Sequence, residues 1–247
     1  MQSITNGFII AFATYSKIPM PKVERNRKNM KYALCFFPAV GLVIGALLTL
    51  WSCLRDAYGL ERICFALAGT VIPVAVTGGV HLEGFFRTAH KLSQKARRDF
   101  DAGVYGVIAV CCYFMLYGAG LSLIWKREQI LLLGLSFVIS RTLSGMSFVW
   151  FPAAEAEDPF YSFYAMARKR TVRAVLVTLL SVEFISTVVI QPVLGAVMAL
   201  AAMWVWTYYY YMSKKQFGGI SGDVSDHFLC LCELACVLVT GLVGRVM

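Results

Sequence analysis

Residues 174–212 read AVLVTLLSVEFISTVVIQPVLGAVMALAAMWVWTYYYYM. The run holds one charged residue, Glu183. About 20 apolar residues carry a helix across the hydrocarbon core of a bilayer. This stretch is long enough to cross twice, at 174–190 and at 193–212. Gln191-Pro192 is then the tight turn of a helical hairpin, and lipid is its solvent.

Outward from the hairpin the same pattern recurs at 32–54, 63–80, 104–125, 129–150 and 227–244. Composition agrees: 59% of the 247 residues are hydrophobic and 15% are charged, against about 45–50% and about 25% in soluble domains. The expected fold is all-α, a polytopic transmembrane helical bundle of about seven spans. It forms a single integral membrane domain over 1–247, with the lipid bilayer as a partner. The stretch 3–18 is shorter and broken by Thr and Ser, so it spans, lies in the interface or re-enters. No cleavable signal is read there, since a basic leading region is missing. The run 63–80 ends in Thr77-Gly78-Gly79, where the helix is expected to break near the cytoplasmic face.

The formal net charge is +9. No basic stripe interleaved with aromatics appears, which argues against nucleic acid. Instead the charge sorts by loop. Lys22, Arg25, Arg27, Lys28 and Lys31 share one loop, and Arg87, Lys91, Lys95, Arg97 and Arg98 the next. Arg168, Lys169, Arg170 and Arg173 share a third, and Lys214 and Lys215 a fourth. The alternate connections hold only Arg55, Arg62, Lys126 and Arg127, with Arg245 near the C-terminus. Excess Lys and Arg mark cytoplasmic loops, so the four basic loops lie in the cytoplasm and the C-terminus outside. The eight cysteines form no CxxC pair and no zinc spacing; they read as small membrane-compatible hydrophobes.

Three polar segments lie at cytoplasmic ends of spans or in cytoplasmic loops. Thr77-Gly78-Gly79-Val80-His81-Leu82-Glu83-Gly84 places ionisable groups at the end of an apolar run, which is costly unless they face a cavity or a partner. On a helix, His81 and Glu83 point to different faces; on a broken segment they converge. Arg98-Asp99-Phe100-Asp101-Ala102-Gly103 precedes a span, and alone it reads equally as a solvated loop with a helix cap. Gly218-Gly219-Ile220-Ser221-Gly222-Asp223-Val224-Ser225-Asp226-His227 combines glycines, hydroxyls and carboxylates at the start of the last span. Its glycines are suited to expose backbone N–H groups as an anion nest, and a helix N-terminus follows. Asp223 and Asp226 are suited to Mg²⁺, which takes carboxylate and phosphate oxygens, and Glu233 lies about two turns beyond Asp226 on the same side. Within the spans, Arg141 and Glu183 are candidates for a mutual ion pair, and Arg141 for a phosphate contact. Together these parts point to metal-assisted chemistry on a phosphate or pyrophosphate.

At these residues the chain resembles the cobalamin synthase family, the adenosylcobinamide-GDP ribazoletransferases. Phe36-Phe37-Pro38-Ala39-Val40-Gly41-Leu42-Val43-Ile44-Gly45 is similar to its F-P-x-x-G-x-x-x-G span. Thr77–Gly84 resembles T-G-G-x-H-L-D-G, and Gly218–Asp223 with Glu233 resembles G-G-x-T-G-D followed by Glu. Ser140-Arg141 matches a Ser-Arg pair. The resemblance implies that a ribose hydroxyl of α-ribazole, or of its 5′-phosphate, attacks adenosylcobinamide-GDP and releases GMP with Mg²⁺ assisting. It also implies a multi-pass protein of the bacterial cytoplasmic (inner) membrane, with the site loops in the cytoplasm. Carried over residue by residue, it implies Glu83, Asp99 and Asp223 as catalytic. Gly78, Gly79, His81, Arg98, Arg141, Gly218, Gly219, Ser221 and Gly222 would bind substrate. Metal would rest on Glu83, Asp99, Asp223 and Asp226.

The chain departs from the family pattern at Glu83, where Asp is usual, and at Arg87 and His90, where two more aspartates are usual. Arg98–Gly106 resembles the family's basic-D-S-x-x-G-x-x-G stretch with Phe100 in place of Ser, and the loop from Glu83 to Asp99 is shortened. These departures keep a non-catalytic corrinoid-binding relative as an alternative. A transporter fits less well, because the polar motifs cluster on one side. The sequence leaves a homo-oligomer open.

Overall fold

The structure, a computed structural model, describes residues 2–96, 103–154 and 160–246. After α1 (Gln2–Tyr15) and the short α2 (Arg27–Met30), a 3-10 turn leads into α3 (Phe37–Tyr58). There follow α4 (Arg62–Thr77), α5 (Val80–Lys95), α6 (Val104–Ser122) and α7 (Arg127–Trp150). The short α8 (Tyr161–Met166) precedes α9 (Lys169–Ile190), α10 (Pro192–Phe217) and α11 (Gly222–Val246). Six segments among the described residues are long and apolar enough to cross a membrane, and α4 with α5 forms a seventh as a pair bent by 95°. Six of the seven expected spans are thus present as single helices, and the seventh coincides with the bent pair, which holds the expected break.

Burial separates the helices. In α7, 78% of the apolar window lies inside the protein, against 17% in α9 and 28% in α6. On the outer helices Val182, Ile185, Val189, Leu200 and Trp204 stand exposed, which suits contact with lipid rather than water. Lipid gives helices little hydrophobic reason to associate, so close packing of small residues does much of the holding. Gly41 and Gly45 on α3 show this. A Cβ on Gly41 would stand 2.2 Å from the Phe137 carbonyl oxygen of α7, and one on Gly45 would stand 2.6 Å from that of Gly134. The α9–α10 hairpin turns at Gln191, whose side chain accepts from the Leu194 amide at 2.5 Å, with Pro192 in the first turn.

The 14 residues of α1 rise about 21 Å, less than the roughly 30 Å hydrocarbon core, and α1 is not among the six segments. It packs against α2, the 3-10 turn and α3, and Asn6 donates to Asn29 at 2.9 Å.

Two expected loops are largely helix. The stretch from 87 continues as α5 to Lys95, and 213–226 shrinks to residues 218–221 between α10 and α11. α5 is amphipathic: His81, Gly84, Phe85, Thr88 and Ala89 are buried, at helical spacing. Its buried face lies on α11.

Candidate active site

Gly78 and Gly79 both adopt positive φ, 65° and 77°, which costs a glycine little. These two residues end α4 and start α5. Their role is the turn itself, and the Lys17 side chain packs over Gly78. One turn further on, α5 meets α11 at contact distance: a Cβ on Gly84 would stand 2.5 Å from the Asp226 Cβ. Only hydrogen at that position lets the two helices approach so closely.

The approach sets two acids of α11 to different tasks. Asp226 Oδ1 lies 2.6 Å from His81 Nδ1, and both side chains are 7% exposed. The Tyr15 ring is inclined 26° to the imidazole, with centroids 6.3 Å apart. Cys230 Sγ donates to the His81 carbonyl at 3.5 Å. His81 Nε2 is buried and makes no hydrogen bond among the described residues. A carboxylate on Nδ1 fixes the tautomer and leaves Nε2 as a proton acceptor, the logic by which a histidine is oriented as a general base.

Asp223, one turn earlier, faces the surface. Lys91 Nζ donates to its Oδ2 at 3.1 Å, and Arg87 NH1 lies 3.7 Å from its Oδ1. Arg87 also pairs with Glu83, four residues before it. Beside this cluster an open cleft of about 230 Å³ is lined by Lys91, Lys95, Ala154, Gln216, Phe217, Ser221 and Asp223. Its three basic or hydroxyl-bearing side chains next to a helix start suit an anionic ligand.

α5 is helical throughout, so His81 and Glu83 diverge: one goes to Asp226, the other to Arg87. Asp226, expected to hold metal, is instead turned to His81. The glycine-rich turn is no anion nest in its first half. The Gly219 amide donates to the Ser213 carbonyl at 3.2 Å and the Ile220 amide to Pro152 at 2.8 Å. Gly218 ends α10 at positive φ, and Gly222 packs on the Phe160 ring. Ser221 Oγ accepts from the Val224 amide at 3.4 Å and so caps α11 while lining the cleft. Arg98 and Asp99 lie outside the described residues.

Arg141 is likewise committed. It is 1% exposed and pairs with Glu233 at 2.5 Å, donating also to the Phe137 carbonyl at 3.1 Å and to Ser140 Oγ at 3.2 Å. Its partner is Glu233 rather than Glu183, which accepts from Thr142 Oγ1 at 2.7 Å. This pair ties α7 to α11, and neither residue lines the cleft beside Asp223. Lys91 and Lys95, by contrast, were legible only as topology charges. The four-residue spacing of Glu83, Arg87, Lys91 and Lys95 was the signal that they share one helix face.

The described residues do not fit magnesium. No three His, Cys, Asp or Glu side chains among them converge on one point, and the guanidinium of Arg87 stands between the two exposed carboxylates.

No solved structure matches the chain. The adenosylcobinamide-GDP ribazoletransferase of Lachnoclostridium phytofermentans is 33% identical over 96% of this chain and 95% of its own length. Those of Shewanella piezotolerans and Clostridium botulinum are 27% and 24% identical, with alignments that span at least 95% of each chain. The family model described as cobalamin-5-phosphate synthase matches residues 7–241, and it runs through both motifs that meet at His81 and Asp226. The chain belongs to the cobalamin-5-phosphate synthase family.

Proposed function

We propose that the chain joins adenosylcobinamide-GDP to α-ribazole, or to α-ribazole 5′-phosphate, and releases GMP. It is a transferase of cobalamin assembly embedded in a membrane. The observation that carries this reading is the meeting of two motifs 145 residues apart in the chain, through the His81–Asp226 contact. The relatives that carry the transferase name align over about 95% of their length, and the contact supports reading the site there.

In the proposed reaction a ribose hydroxyl oxygen forms a bond to the cobinamide-side phosphorus. The phosphorus–oxygen bond to the GMP phosphate breaks, and GMP leaves with that electron pair. His81 Nε2 takes the hydroxyl proton, while Asp226 holds the ring and favours the imidazolium that results. The cleft beside Lys91, Lys95 and Ser221 takes the pyrophosphate. In the topology that the basic loops favour, this cleft faces the cytoplasm of a bacterial cytoplasmic membrane.

The test supplies membranes containing the protein with adenosylcobinamide-GDP and α-ribazole and measures cobalamin and GMP by chromatography. Both products should form in equal amounts. Output no greater than that of membranes lacking the protein would reject the assignment.

A further inference from the structure

Arg87 and Lys91 sit four residues apart on the exposed side of α5, and both reach the same carboxylate, that of Asp223. The guanidinium of Arg87 also holds Glu83. One cationic group thus bridges two acids from two helices, and a second cation flanks it. A divalent ion would make the same bridge. Placed between Glu83 and Asp223, it would meet, among the described residues, a fixed positive charge instead of a third oxygen. The carboxylate of Asp226, which would complete such a set, is bonded to His81.

The bridge is open to ligand. Arg87 is 55% exposed and Lys91 is 52% exposed, and Lys91 lines the cleft together with Lys95 and Ser221. A guanidinium carries its charge at every accessible pH and presents a planar fork that matches phosphate oxygens. Lysine adds a point charge with three donors.

We propose that in this chain Arg87 and Lys91 replace the divalent cation: they bind the pyrophosphate of a nucleoside-diphosphate substrate directly, without metal. Glu83 and Asp223 hold the two cations side by side before substrate arrives, and the diphosphate then takes over as their partner. This rests on the transferase reading of the same cleft.

The test uses the full chain purified in detergent, with GDP as the probe, titrated by calorimetry in magnesium and again in EDTA. The two affinities should agree within about threefold, a difference of under 1 kcal/mol. Arg87→Gln should weaken GDP by about 10–100-fold in both media, the usual loss for a charged hydrogen bond. Arg87→Lys, which keeps the charge and loses the planar fork, should recover part of the binding lost in Arg87→Gln. Arg87→Asp should restore a three-carboxylate set and make GDP binding depend on magnesium. A wild-type affinity that falls tenfold or more in EDTA overturns the proposal. So does an Arg87→Gln chain that binds as before, or a wild-type chain that binds GDP in neither medium. Arg87 lies on the surface, where substitutions leave stability nearly unchanged; circular dichroism verifies the fold of each variant. The product assay separates the two readings. Cobalamin formed only with magnesium sinks the metal replacement and leaves the transferase standing. Metal-free GDP binding with no cobalamin in either medium does the reverse.

Discussion

Two guanidinium–carboxylate clusters are built on α11, one around Glu233 and one around Asp223. The first is sealed. Arg141 and Glu233 are 1% and 6% exposed, and the guanidinium is further tied to Phe137 and Ser140. The second is open. Arg87 and Glu83 are 55% and 60% exposed, and Asp223 retains 24%. The chemistry is the same and the surroundings are opposite. A desolvated pair has no solvent to compensate the loss of a partner, so it holds helices together. A solvated pair contributes about 0–1 kcal/mol, so its partners exchange at little cost. Depth therefore suits Arg141 to architecture and, in the proposed reading, Arg87 to ligand. Asp226, paired with His81, lies between the two along α11 and is buried like the first.

The comparison can be broken at several points. The largest effect is expected at its midpoint. His81→Gln should slow product formation by about 10²–10⁴-fold in protein that circular dichroism shows folded at the assay temperature. Activity lost only in proportion to the folded fraction would move His81 to the architectural side. Next comes the sealed cluster: Glu233→Gln should destabilise the protein by about 3–5 kcal/mol, measured by thermal unfolding in detergent. The double variant Arg141→Met with Glu233→Leu should recover much of that. A stable Glu233→Gln chain with no activity would show that depth does not sort the two arginines. In the open cluster, Arg87→Gln should raise KM for adenosylcobinamide-GDP by about 10–100-fold with melting unaltered. The smallest effect is expected at Glu83→Gln, within about 1 kcal/mol of stability. A larger change would mean that the open cluster also carries structure.

Much of the fold was legible because its signal is long and redundant. Each apolar run repeats the same evidence over some 20 residues, and the basic loops sort without knowledge of any contact. The site was legible as motifs but not as pairs. Asp226 and Asp223 look alike in sequence, yet three residues on a helix turn a side chain by about 300°, and Gly84 lets one of them be covered. The amides of the glycine-rich turn were misread because their acceptors, Pro152 and Ser213, are fixed by tertiary packing. α5 was hidden by its charges. Its buried positions do follow helical spacing, but Glu83, Arg87, Lys91 and Lys95 give the same segment the composition of a loop.

The distance between His81 and Asp226 along the chain has a consequence for how the protein is made. Chains fold from the N-terminus as they emerge from the ribosome. α5 leaves early, with His81, Gly84 and Thr88 on a face that must be covered. That cover is α11, the most C-terminal of the described helices. Until it arrives, a polar helix face stands in a nascent bundle with no mate. The site is thus the final seam of the assembly, closed only when α11 has been made and inserted. A chain interrupted after α10 would leave the hairpin of α9 and α10 in the membrane and the α11-facing side of α5 uncovered, a fitting mark for quality-control proteases to recognise.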